Sequence, residues 1–100
     1  MMICIKLHKS YRNVVAVCDA NLIGKRFEEG KMQLYCRESF YKEEEISYEE
    51  AVKRIKFQSM EDATFNIIGE KSIKAAIEAE LINPEYVKTV QKIPFILVLL

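Results

Sequence analysis

Few side chains in this chain have both the type and the setting for chemistry, and the first is a thiol beside a carboxylate. The stretch "VVAVCDANLIGKRFEEG", Val14 to Gly30, passes from four apolar residues through Cys18 and Asp19 into a segment patterned as a helix. A thiol at a helix N-terminus is acidified by the dipole and by free backbone N–H groups, which is one way to make a nucleophile. Here Asp19 takes the capping position, and its negative charge disfavours a thiolate next door. Alternation also places Cys18 on one face with Val14 and Ala16, and free cysteine is among the most buried residue types. Packing is the favoured role for Cys18.

The other candidates yield to similar comparisons. His8 is the single histidine and lies beside Lys9 at a strand end, where a solvated side chain is the ordinary outcome. Cys4, Cys18 and Cys36 contain no C-x-x-C pair, the short knuckle from which zinc sites are usually built, so no metal site is expected. "GEKS", Gly69 to Ser72, follows an apolar run and opens a helical one, but Glu70 stands where a phosphate loop needs lysine. A weaker ligand reading survives, in which Gly69 lets a ligand approach a helix N-terminus and Lys71 supplies charge. Asn66 interrupts an apolar run; a buried amide must find partners, so any pocket would lie beside it. The ligand-binding candidates are thus Cys18, Asp19, Asn66, Gly69 and Glu70, where two strands each lead into a helix. No catalytic residue and no cofactor follow from them, and the balance leans away from an enzyme.

These groups must be positioned by one domain, since 100 residues, half of them apolar, suffice for a single core. Equal numbers of acids and bases give a net charge of zero. The halves differ: residues 1–37 hold seven Lys and Arg against three acids, or +4, and residues 38–100 hold eight against twelve, or −4. An odd cysteine count without pairs, and no charged-then-apolar leader, point to a reduced, cytoplasmic chain. The terminal "PFILVLL" is far shorter than the roughly 20 apolar residues that a membrane span needs, so it reads as a buried strand and no membrane partner is expected.

Alternation in "MMICIKLH" (1–8) and the unbroken apolar run after it predict two neighbouring antiparallel strands, 1–8 and 13–18, the second central and covered on both faces. Asp19 as N-cap, a stripe of Leu22, Ile23 and Phe27, and Gly30 as the left-handed end predict a helix, within which Gly24 costs about 1 kcal/mol. "KMQLYCR" predicts a third strand with Met32, Leu34 and Cys36 inward and Gln33, Tyr35 and Arg37 outward. "FYKEEEI" reads as an acidic connection. Ser47 and Glu50 form a capping box for a helix of about thirteen residues, facing inward with Ala51, Val52, Ile55 and Met60. "ATFNIIG" predicts a strand ending at Gly69, then a helix with Ile73, Ala76, Ile77 and Leu81 that Asn83-Pro84 terminates. A turn around Tyr86 and Val87 precedes a last strand, "IPFILVLL". The expected fold is α+β, a mixed sheet of four to five strands covered by about three helices, in one layer pair.

"VVAVCDANLIGKRFEEG", "ESFY" and "ATFNIIGEKSIKAAIEAELINPE" together resemble the archaeal DUF424 family of unknown function, in order and spacing along nearly the whole chain. The resemblance implies a small cytoplasmic α/β protein of archaeal type. It points towards ribosome, translation-factor or RNA association.

Three kinds of function are carried forward. The first is a binding module for RNA, the ribosome or a translation factor, using Lys9, Tyr11, Arg12, Lys25 and Arg26 of the basic half, where Arg and Tyr can contact phosphate and stack on a base. The second is a small ligand-binding protein or enzyme at the five candidates above, since ligands favour the C-terminal ends of parallel strands. The third is a homodimer that pairs through an edge strand, with "FILVLL" as the patch.

Overall fold

The computed structural model describes residues 2–99. Its main sheet has six strands in the order β5-β1-β2-β6-β8-β7: β1 (Ile3–His8), β2 (Val14–Asp19), β5 (Glu44–Ile46), β6 (Thr64–Ile68), β7 (Lys88–Val90) and β8 (Ile93–Val98). β3 (Arg26–Glu29) and β4 (Met32–Tyr35) form a separate two-stranded hairpin. The sheet is mixed: β2 and β6 run parallel, joined by a crossover through helix α2 (Tyr48–Met60), while the other neighbours are antiparallel. As the apolar run at Val14 to Val17 requires, β2 is internal and Val15, Ala16 and Val17 are buried. The fold is α+β, with more strands than the four or five expected.

α2 and α3 (Glu70–Glu78) cover one face over Ile3, Ile5, Val15, Val17, Phe65 and Ile67. Phe65 is wholly buried there, and a buried aromatic side chain of this size contributes about 1.5–3 kcal/mol. The opposite face, with Cys4, Ala16, Cys18 and Ile68, is covered by the β3–β4 hairpin and the short helix α1 (Glu38–Tyr41). The sheet is therefore sheltered on both sides, not in one layer pair.

Ser47 caps α2 as expected, its Oγ accepting from the Glu50 N–H at 3.1 Å, but the Glu50 carboxylate turns to Arg54 instead of reaching back to complete the box. Both long helices end in Schellman turns with non-glycine residues in the left-handed region. Ala63 N–H bonds the Gln58 carbonyl beyond Asp62 (φ 58°), and Leu81 N–H bonds the Ala76 carbonyl beyond Glu80 (φ 62°). α3 thus stops before Leu81, which sits just past its cap.

Several expected elements differ. The helix expected from Asp19 to Gly30 is only a 3₁₀ turn, Ala20–Leu22, followed by β3. Gly24 (φ 86°) bends the chain there, its N–H bonding the Cys36 carbonyl, and Gly30 (φ 60°) turns the hairpin instead of ending a helix. Leu22, Ile23 and Phe27 still face inward, because over so few residues a helical stripe and a turn-plus-strand place the same side chains on the core. Met32 is 42% exposed and Met60 69% exposed, so neither is a core residue: one lies at the hairpin tip and the other on the last turn of α2. The acidic connection contains α1 and β5. Arg54 holds β5 to α2, bonding both Glu44 carboxylate oxygens (3.1 and 3.2 Å) and Glu50 (2.8 Å). The Arg54 guanidinium keeps the Glu44 carboxyl below its ordinary range. The expected turn near Tyr86 is a 3₁₀ turn, Pro84–Tyr86, leading into β7.

Candidate functional site

Cys18 and Asp19 are adjacent in sequence but point to opposite faces of the sheet. Cys18 lies under the hairpin beside Cys36, both fully buried. The Cys18 thiol donates to the Asp19 carbonyl at 3.4 Å, and the adjacent Cys36 sulfur, burial and the Asp19 charge push it well up, so Cys18 is packed and protonated. The three cysteines are free and buried. Ellman's reagent at neutral pH is expected to leave all three unmodified in the folded protein and to titrate three in denaturant; rapid reaction of one native thiol would contradict this packing.

Asp19 turns to the helix face, where the parallel pairing of β2 and β6 brings it against the start of α3. It is 5% exposed, and its carboxylate accepts from the N–H of Lys71 (3.1 Å) and from the N–H and hydroxyl of Ser72 (2.8 and 2.7 Å). The aspartate expected to cap its own segment caps a helix fifty residues further on. It satisfies orphan N–H groups and places negative charge at the positive end of the dipole. The carboxylate occupies the place beside Gly69 that a side chain would fill: a Cβ there would lie 2.6 and 2.7 Å from its oxygens, and Gly69 has φ 111° and ψ 154°. Gly69 is required by Asp19.

Of the five ligand candidates, Asp19, Gly69 and Glu70 meet at this junction. A groove of about 280 Å³ opens there, lined by Asp19, Asn21, Leu22, Glu70, Lys71 and Ile93. Cys18 lies on the other face, and so does Asn66, half-buried in a row with Ala16 and Leu97 across β2, β6 and β8. The junction's hydrogen-bonding capacity is spent largely inside the fold.

The five basic-half candidates also divide. Lys9, Tyr11 and Arg12 lie in the β1–β2 turn, while Lys25 and Arg26 follow the far end of β2, some 20 Å away for a six-residue strand. At the turn, Tyr11, Arg12 and Asn13 share a groove with Glu61 and Asp62, which offset the positive charge. His8 is half-buried at that end of β1, its ring stacked on Phe40 at 4.4 Å and its Nε2 2.8 Å from the Phe40 carbonyl. It anchors α1 and is not the solvated residue expected.

At the other end the hairpin assembles a denser group. Arg26 pairs with Tyr35 across β3 and β4, and its guanidinium carbon sits 4.1 Å from the ring centre. Arg37, two residues beyond Tyr35 on the same side, brings a second guanidinium to 5.1 Å. Lys25, Arg26, Tyr35 and Arg37 are all exposed. Among the described residues no carboxylate forms an ion pair with either arginine. Tyr35 and Arg37 were not among the expected contacts, although their outward positions in "KMQLYCR" were the available signal.

The family model for DUF424, described as a protein of unknown function, matches residues 8–99. The chain belongs to the DUF424 family. None of the curated proteins matches it. Among solved structures, an uncharacterised conserved protein from Methanopyrus kandleri superposes with a TM-score of 0.88 at 20% identity, covering 98% of this chain and 90% of that one. At that identity the likeness to the Methanopyrus protein is one of fold. No helix among the described residues is long and apolar enough to cross a membrane.

Proposed function

We propose that this DUF424 chain is a binding module for single-stranded or looped RNA in a reducing archaeal cytoplasm, in the setting of the ribosome or translation factors. One observation carries the reading: two guanidinium groups gathered on the exposed Tyr35 ring, with Lys25 next in sequence to Arg26 and no paired carboxylate among the described residues. Guanidinium and phenol planes are surfaces on which unstacked bases pack, and the remaining N–H donors reach phosphate. β3 and β4 hold the groups as a cross-strand pair, so little side-chain freedom is lost on binding. Glu28, two residues beyond Arg26 on β3, places a negative charge on the same face of the hairpin.

With zero net charge the whole chain offers RNA no overall attraction, so binding rests on the local groups of this patch. The experiment is fluorescence anisotropy with a labelled single-stranded RNA at low salt. Saturable binding that weakens as salt rises is the expected result. Absence of binding at low salt would overturn the reading.

A further inference from the structure

The two outer edges of the main sheet are protected very differently. β5, at one edge, is short and carries Glu44 and Glu45, charges that repel a second strand. At the other edge β7 spans only Lys88–Val90, opposite Phe95, Pro94 and Ile93, so the rest of β8 has no outer neighbour. Which atoms that leaves facing outward follows from the register. An antiparallel strand sends the N–H and C=O of successive residues to alternate sides. The Pro94 carbonyl accepts from Gly69 on the β6 side; Ile96 and Val98 therefore also face β6, and Phe95 faces Lys88 of β7. The backbone groups of Leu97, and of Leu99 beyond it, point to the side where β7 has ended.

The side chains around this edge are apolar above and below. Leu97 is 55% exposed and Leu99 69% exposed on one face. On the other, Leu81, Ile82, Ile96 and Val98, with Asn83 and Tyr86, line a groove of about 420 Å³ that Leu97 and Leu99 also border. Ile96 to Leu99 include no charge, proline or glycine, the devices by which free edges are usually blunted.

We infer that this half-edge is a homodimer interface, in which β8 pairs antiparallel with β8 of a second copy about a two-fold axis at Val98. The occupant follows from the complementarity of the edge to itself. Reversing the strand sets Leu97 against the partner's Leu99 and Leu99 against the partner's Leu97, so every outward N–H meets an outward C=O. The pairing stops before Phe95, which β7 already holds, and the apolar side chains on both faces meet their own kind without opposing charges. The same reversal at β5 would bring glutamates together. The residues are distinct from Lys25, Arg26, Tyr35 and Arg37, so the two proposals stand or fall separately.

Sedimentation equilibrium from dilute to millimolar protein tests this. The expected result is a concentration-dependent rise towards twice the 11.7 kDa chain mass, abolished by Leu97→Lys with far-UV circular dichroism unchanged. Should Leu97→Lys fail to fold, Leu99→Lys, which lies beyond β8, makes the same test. Val98→Cys is expected to form an intermolecular disulfide, because two-fold related residues that do not share backbone hydrogen bonds are the closer pairs of an antiparallel ladder. Thr89→Cys on β7 is expected to form none. A monomer at every concentration, or a dimer that neither lysine variant weakens, overturns the inference; the first outcome would leave the edge to a strand of another protein.

Discussion

Gly69→Ala is expected to cost about 4 kcal/mol of folding stability, as a Gly-only backbone region costs of order 1–3 kcal/mol and buried donors left unpaired cost about 1–3 kcal/mol each. The new methyl would stand where the Asp19 carboxylate now lies, at φ 111° and ψ 154°. Expelling that carboxylate strips the cap from α3 and leaves the Ser72 hydroxyl and N–H without their acceptor. Asp19→Ala removes the same cap without the backbone strain, and about 3 kcal/mol is expected from the lost cap and the stranded donors. The mechanism gives a sharp double-mutant result. If alanine acts by displacing the carboxylate, adding Asp19→Ala to Gly69→Ala costs almost nothing more. Urea denaturation of the four proteins checks this, and additive losses would contradict the coupling.

Removing Arg26 and Arg37 together is expected to weaken single-stranded RNA binding by about a hundred-fold, since base–side-chain stacking and charge-assisted phosphate contacts are each worth about 1–3 kcal/mol. Two lost phosphate contacts also lower the slope of log affinity against log salt by about 1.4. Stability is expected to change little, because both side chains are exposed and no ion pair is broken among the described residues. Replacing Tyr35 with alanine is expected to remove the platform on which the guanidinium groups rest, yet leave the salt slope nearly unchanged. The pair of variants separates charge from stacking. Equal, small effects of Arg26→Ala and of Lys9→Ala at the distant turn would mean that binding is diffuse and not centred on the hairpin.

Much of this geometry was legible in the sequence, and where it was not, the cause was non-local. The Ser47 N-cap, the central run at Val14 to Val17 and the strand before Gly69 are short-range signals, and each appears as expected. Asp19 was legible as a cap but not as the cap of α3, because the parallel pairing of β2 with β6 that brings them together spans fifty residues. The segment after it read as a helix since Leu22, Ile23 and Phe27 satisfy either geometry, and only pairing with β4 decides for a strand. β5 and β7 are three-residue strands rich in charged or polar residues, below the length at which alternation carries information. Of the basic group, Lys25 and Arg26 were visible from charge, while Tyr35 and Arg37 join them through the hairpin register.

The most direct measurement of the RNA-binding reading is a titration of the isotope-labelled protein with a short single-stranded RNA, followed by backbone and arginine side-chain NMR shifts. The account predicts that the largest changes fall on Lys25, Arg26, Tyr35 and Arg37, with the guanidinium resonances of Arg26 and Arg37 moving furthest. Shifts confined to the Lys9–Asn13 turn or to β8, or none at low salt, would contradict it.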